Sequence, residues 1–278
     1  MLRLVSANVN GVRAALRRGG LAWLAACRPD VLCLQEVRAD DGQLADVLAE
    51  AGLGGWHVAS SPASAKGRAG VAVVSRVPLV ARRSDVPGFE DAGRWVEADV
   101  PTSAGVLTVV STYVPTGEAG APRQLDKMRF LGAMTYRMGA LAADADGLAL
   151  VTGDLNVAHR REDLRNWKAN VRKAGCLPEE RAVLDTWLGG GWVDVHRALA
   201  GDGIAPYTWW TWRGQAFDTD TGWRIDYQLA TEALATRAVD GRVGRAASYA
   251  ERWSDHAAVL VDYDLELAAE HCQPAAGA

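Results

Sequence analysis

Short apolar runs enriched in β-branched residues recur at 2–7, 30–35, 69–75, 94–100, 105–113, 147–153, 223–230 and 256–263, each closing on polar or turn residues. They predict strands. Patterns of helical period occupy about 19–27, 40–51, 122–143 and 179–189. In the third of these, Leu131, Met134, Met138 and Leu141 share one stripe, the spacing of a helix face turned to a core. Strands and helices alternate irregularly, and 94–100 with 105–113 has hairpin spacing, so mixed sheets are expected. Each sheet must hide an apolar face. The economical solution is a four-layer α/β sandwich, two mixed β-sheets packed face to face and flanked by helices. No linker composition interrupts the pattern, so 1–266 is expected to be a single domain and 267–278 a frayed tail.

Composition changes this picture little. A chain of 278 residues that is 49% hydrophobic can bury a large core. Its net charge of −4 is not that of a protein binding nucleic acid by charge excess alone. The basic residues are instead local: Arg13, Arg17 and Arg18, then Arg160, Arg161, Arg165, Lys168, Arg172 and Lys173. Cys27, Cys33, Cys176 and Cys272 form no CxxC pair and no zinc spacing, so reduced thiols are expected. The first residues, Met1-Leu2-Arg3-Leu4-Val5, reach polar Ser6 and Asn8 without a long apolar stretch. A soluble, cytoplasmic protein with no membrane partner is expected.

Candidate chemistry gathers at the ends of the apolar runs. Glu36 follows Val31-Leu32-Cys33-Leu34, and Asn8 and Asn10 follow the first run. Glu36 with Asn8 offers the oxygen ligands that magnesium or manganese takes. Asp154 and Asn156, two apart, share one face if the chain there is extended. An Asp so exposed can accept a proton from water, while a carboxamide positions that water or a phosphate oxygen. Read alone, the pair is more often an Asx-turn closing a strand. Asp226 lies in a strand-like stretch where an unpaired acid is costly, and His256 is its natural partner. A carboxylate beside a His raises its proton affinity and turns an imidazolium toward phosphate.

Taken together, several stretches resemble the exonuclease III/apurinic-apyrimidinic endonuclease family of the endonuclease/exonuclease/phosphatase superfamily. They are Ala7-Asn8-Val9-Asn10-Gly11-Val12-Arg13, Leu34-Gln35-Glu36, Thr112-Tyr113-Val114-Pro115, Gly153-Asp154-Leu155-Asn156, Trp223-Arg224-Ile225-Asp226-Tyr227 and Ser254-Asp255-His256. The resemblance runs from about residue 2 to 264 and is most specific from Asp154 to Arg181. It implies the four-layer sandwich and hydrolysis of the phosphodiester 5′ to an abasic site in double-stranded DNA. It also implies 3′–5′ exonuclease and 3′-phosphatase activities on blocked 3′ ends. By motif, Glu36 ligates Mg2+, with Mn2+ able to substitute. Asn8 lies beside it, Asn10 near a second ion if there is one, and Asp255 in the outer shell. Tyr113 contacts the scissile phosphate, Asp154 activates or aligns the water, Asn156 holds phosphate and Asp226 orients His256. Trp209, Ile225 and Trp223 are expected to wall a pocket for a base-less sugar. Asn166, Lys168, Asn170, Arg172 and Lys173 are expected in a loop gripping the backbone, and the default state is a monomer.

The sequence departs from the family's usual pattern at Thr116, where Asn commonly stands, at Lys173, and at Lys66-Gly67-Arg68-Ala69-Gly70. None of these removes an expected ligand, the base or the His pair. Two other readings compete, a phosphatase of the same superfamily acting on a small phosphoester and a damage-binding protein without turnover. The aromatic run Tyr207-Thr208-Trp209-Trp210-Thr211-Trp212 and the 166–173 segment favour DNA.

Overall fold

The computed structural model describes residues 1–84, 86–144, 146–201 and 205–268. Its strands are β1 Leu2–Asn8, β2 Val31–Gln35, β3 His57–Ser61, β4 Val71–Ser75, β5 Ala81–Arg83, β6 Trp95–Thr102, β7 Gly105–Tyr113, β8 Leu148–Asp154, β9 Trp192–Asp194, β10 Asp226–Thr231, β11 Ala238–Gly244 and β12 Ala258–Tyr263. The helices are α1 Val12–Arg17, α2 Gly20–Ala26, α3 Asp41–Leu48, α4 Pro122–Leu141, α5 Trp167–Asn170, α6 Pro178–Gly189, α7 Val195–Ala200 and α8 Glu232–Ala235. No helix among the described residues is long and apolar enough to cross a membrane.

Two six-stranded sheets form, ordered β11-β12-β1-β2-β4-β3 and β5-β6-β7-β8-β10-β9. Both are mixed, because β1 with β2 and β7 with β8 are parallel pairs among antiparallel neighbours. Strand alternation then divides the core into layers. Leu4, Val31, Cys33, Val73, Ala98, Val109 and Leu150 meet between the sheets. Val5, Leu32, Leu34 and Val74 face outward onto Leu21 and Leu24 of α2 and Leu44 and Val47 of α3. Val110, Val151 and Leu229 do the same on the other side, against Phe130, Leu131, Met134 and Met138 of α4 and Leu184 of α6. Each such buried side chain contributes about 1.5–3 kcal/mol relative to exposure.

Local chemistry sets where the helices begin. Asp40 accepts from the Gln43 amide at 2.8 Å and caps α3, while proline opens both α4 and α6, where a missing N–H costs nothing. Polar groups also cross the inter-sheet layer. Gln35 Nε2 donates to Ser111 Oγ at 3.0 Å, and Gln228 Nε2 donates to the Val259 carbonyl at 3.1 Å. These bonds fix the register of one sheet on the other, because a slip would leave a buried carboxamide unpaired.

The predicted strands and long helices form, with shifted ends. The run at 69–75 starts its strand only at Val71, because Ala69 and Gly70 adopt φ +43° and +87°. At 223–230 the regular strand starts at Asp226, and Trp223 forms isolated bridges with Trp209 and Leu164 instead. The helix predicted at 40–51 ends at Leu48 and passes into a wider turn over Ala49–Leu53. At the tail, Leu267 bridges Thr102 and the Ala268 amide donates to Pro101, so the sandwich holds the chain as far as 268. The remaining residues of the predicted tail, with Cys272, lie outside the described residues.

Candidate active site

One edge of the sandwich collects every expected catalytic side chain, and topology is the cause. β1, β2, β7 and β8 end there with Asn8, Gln35, Tyr113 and Asp154, while β10 begins there at Asp226 and β12 shortly after His256. Tyr113 and Asp226 pair in register with Asp154 from either side. The turns that expose these groups are left-handed at Asn10, Glu36 and Asn156, with φ of 47°, 50° and 51°. Such conformations cost energy in non-glycine residues and persist where surrounding structure over-determines them. Gly153, at φ 144°, has no such freedom to give up: a Cβ there would lie 2.0 Å from the Thr112 carbonyl oxygen of the neighbouring strand.

Glu36, Asp154 and His256 are all buried, and each brings one ligand-capable atom within 4.8 Å of the other two. Asn8 Nδ2 bridges the carboxylates, donating to Glu36 Oε1 and Asp154 Oδ2 at 2.9 Å each. Its oxygen accepts from the Asn10 amide at 3.0 Å. Asn8 therefore presents a donor to the cluster where an oxygen ligand was expected. Arg38 forms an ion pair with Glu36. Asn10 Nδ2 donates to Asp255 Oδ1 at 2.7 Å, and Trp209 Nε1 donates to Asp255 Oδ2 at 3.2 Å. Asp255 thus links the cluster's rim to the aromatic run and stands outside the inner group.

His256 Nδ1 lies 2.9 Å from Asp226 Oδ2, which also accepts from Thr208 Oγ1 at 2.6 Å. Its Nε2 lies 3.7 Å from Asp154 Oδ2. Burial lowers the proton affinity of His256, but the carboxylates of Asp226 and Asp154 overcome it and raise the pKa to about 10. The ring is an imidazolium at neutral pH. Protonated at both nitrogens, it is a hydrogen-bond donor. Asp154 moves the opposite way to ordinary carboxylates: burial, then the negative charges of Asp226 and Glu36, push it up to about 8 against the pull of His256. Burial and neighbouring negative charge thus disfavour the ionised form of Asp154. A hard cation bound by the oxygens of Glu36 and Asp154 fits this donor set and would favour the ionised form of Asp154.

The side chains around Asp154 depart from expectation in one respect. Asn156 is not on an extended strand. Its amide donates to Asp154 Oδ1 at 2.9 Å, closing an Asx-turn, and its Nδ2 donates to the Val114 carbonyl at 2.9 Å and Asp154 Oδ2 at 3.2 Å. With its donors committed, Asn156 braces the carboxylate and does not present them to a phosphate oxygen. Tyr113 is kept as a phenol by burial and by Glu36 and Asp154, and Arg94 stacks 4.8 Å from its ring centroid.

Beside this cluster lies a cavity of about 120 Å³ lined by Thr116, Asn156, Ala174, Gly175, Trp209, Trp223 and Ile225. Trp209 meets Trp223 edge-on, with centroids 6.1 Å apart. Thr116, at the family's usual Asn position, faces this cavity. The 166–173 segment contains the helical turn α5 where a loop was expected. Asn166, Lys168, Arg172 and Lys173 are exposed, and Asn170 is tied by its Nδ2 to the Asn166 carbonyl and by its oxygen to Lys173 Nζ. Arg161, Arg165, Asn166 and Lys168 surround a hollow of about 370 Å³, and Lys66 and Arg68 are exposed elsewhere on the surface.

Residues 5–256 match the Endonuclease/Exonuclease/phosphatase family. The chain is 34% identical over 245 residues to an exodeoxyribonuclease of Bacillus subtilis, covering 87% of this chain and 93% of that protein. The chain belongs to the exonuclease III/apurinic-apyrimidinic endonuclease family. Its fold agrees: an AP endonuclease from Archaeoglobus fulgidus superposes with a TM-score of 0.82 at 27% identity, covering 95% of this chain and all (100%) of the other. The 3′ phosphatase NExo from Neisseria, solved with a product DNA hairpin, gives 0.82 at 28% identity with coverage of 95% and 100%. Membership makes the protein a hydrolytic nuclease of a metal-dependent family.

Several residues at the site escape sequence reading. Arg224 is fully buried and pairs with Asp163 at 2.7 Å and Asp194 at 2.6 Å, tying the start of β10 to the 160s segment. An arginine between Trp223 and Ile225 was the available signal. Lys127, Glu180 and Thr208 were missed as well, although Gln124 and Lys127 continue the stripe of Leu131, Met134 and Met138 along α4.

Proposed function

We propose that the protein is a magnesium-dependent endonuclease that hydrolyses the phosphodiester 5′ to an abasic site in double-stranded DNA, acting as a monomer through a single domain, residues 1–266. On this reading it also clears blocked 3′ ends by 3′–5′ exonuclease and 3′-phosphatase action. The observation that carries it is the juxtaposition of the Glu36, Asp154 and His256 cluster with the apolar cavity of about 120 Å³ behind Asn156. A flipped sugar without a base suits so small an apolar space, and a normal nucleotide is excluded by size.

Glu36 would hold the cation, with Asp154 alongside and Asn10 and Asp255 arranging the rim. The bound cation supplies charge neutralisation for the phosphorane oxygens. Asp154 would accept a proton from the attacking water or align it. His256, held by Asp226, and the Tyr113 hydroxyl would donate to phosphate oxygens as charge builds on them. Asn156 would hold Asp154 in line. Trp209, Trp223 and Ile225 would receive the sugar, while Asn166, Lys168, Asn170, Arg172 and Lys173 would steady the flanking backbone by charge.

A duplex with one tetrahydrofuran abasic analogue tests this directly. Incision 5′ to the analogue is expected with Mg2+ or Mn2+ and its loss with EDTA. Hydrolysis of small phosphoesters without incision would establish the phosphatase reading, and tight binding without turnover the damage-binder reading. Trp209→Ala is expected to lower the preference for abasic over intact duplex roughly tenfold or more, the loss of one well-placed apolar wall. Equal losses in abasic and general DNA affinity would assign Trp209 to packing.

A further inference from the structure

The helix face that packs α4 onto the second sheet carries a charge into a place where charges are expensive. Lys127 and Glu180 form an ion pair at 2.7 Å with both side chains fully buried. A buried pair of this kind rarely adds stability over apolar packing, so its retention calls for another account. Burial draws the Lys127 pKa down, with Glu180 and then Asp154 opposing it.

What the two charges hold is specific. Lys127 Nζ donates to the Asn156 carbonyl at 2.8 Å and the Thr116 carbonyl at 3.3 Å. Glu180 Oε2 accepts from the amides of Gly175 at 2.7 Å and Leu177 at 3.0 Å, and Glu180 Oε1 accepts from Gln124 Nε2 at 2.9 Å. Thr116, Asn156 and Gly175 are three of the residues lining the cavity, and they come from three separate connections. Asn156 is also the left-handed residue whose amide and side chain hold Asp154. Gly175 leaves no slack: a Cβ there would lie 3.0 Å from the Trp223 ring and 3.1 Å from the Asn156 carbonyl oxygen.

We propose that the Lys127–Glu180 pair is a positioning device for specificity, fixing the non-aromatic wall of the sugar cavity and the Asx-turn that aims Asp154. This rests on the abasic-site reading of the cavity. Each charge gathers backbone groups from a different connection, and the pair joins the two sets. Apolar residues at 127 and 180 can fill the same volume but cannot grip a carbonyl or an amide. Neither side chain contacts the reacting atoms in this arrangement, so the pair acts through Asn156, Thr116 and Gly175.

The test is a double-mutant cycle with Lys127→Met, Glu180→Leu and their combination, assayed on tetrahydrofuran and intact duplexes. The double variant avoids an unpaired buried charge but strands the backbone groups that the pair holds, so its melting temperature is expected to fall while the chain still folds. Its kcat on the abasic duplex is expected to fall at least tenfold, its KM to stay within about threefold, and its preference for abasic over intact duplex to fall at least tenfold, a loss of about 1.4 kcal/mol in discrimination. Lys127→Arg, which keeps the charge but shifts its donors, is expected to recover part of the preference. A double variant that loses melting temperature while holding both kcat and preference would overturn the proposal, leaving a structural pair. If the double variant does not fold, Lys127→Arg with wild-type preference and kcat overturns it equally. Failure of the underlying reading shows itself separately, as absent incision by the wild type.

Discussion

Asp154→Asn is expected to lower kcat for abasic-duplex incision by roughly two to four orders of magnitude, the span of general-base catalysis. The substitution keeps the side chain's shape and one acceptor oxygen, enough for the Asn156 amide, while the bond from Asn8 Nδ2 is lost; folding should survive. It removes the carboxylate that would accept the attacking water's proton. Burial and the neighbouring acids raise the Asp154 pKa, so without a cation its ionised form is disfavoured. A positive charge beside Glu36 favours the ionised form, which couples readiness of the base to occupation of the ion site. A variant within tenfold of wild type under saturating Mg2+ would remove Asp154 from the reaction.

The second large effect is at His256. His256→Asn should cost roughly 10²–10³ in kcat, the scale of one lost donor to transition-state charge. The sign of its pH dependence follows from geometry. With its pKa raised to about 10, the imidazolium persists through neutrality and is lost as pH rises through that value, so the alkaline limb of kcat should lie high. Asp226→Asn removes the strongest opposing charge to burial, so that limb should move to lower pH while activity below it is largely kept. An alkaline limb that stays in place in Asp226→Asn would show that His256 is not the group titrating.

How far the molecule was legible depends on where each free-energy term resides. The stripe of Leu131, Met134 and Met138 and the β-branched runs announced the layers, because burial of a whole face must be written in consecutive periods. The strands β3, β5, β9 and β11 passed unread. They are short or lie at sheet edges: β5 is Ala-Arg-Arg, and β11 carries Asp240, Gly241 and Arg242, all signatures of turns or exposed loops. Chemistry at strand ends was legible as motifs, but hydrogen-bond direction was not. Nothing local says that Asn8 turns its nitrogen to the carboxylates, or that Asn156 is left-handed. Ionic groups were hardest. The apolar neighbours of Arg224 and the α4 stripe hint that Arg224 and Lys127 are enclosed, but only the tertiary structure reveals the partners of these two and of Glu180.

The position of β12 has a consequence for the nascent protein. It lies between β11 and β1 in the first sheet, and His256 stands just ahead of it. Synthesis delivers Glu36, Asp154 and Asp226 long before this strand can insert. A chain synthesised only that far would carry most of the candidate catalytic residues but would have β1 without one of its two neighbours and no His256. If His256 acts as proposed, activity would await the late step at which the gap beside β1 is filled. Chains interrupted before about residue 256 should be inert toward DNA and should expose the unpaired edge of β1 to chaperones.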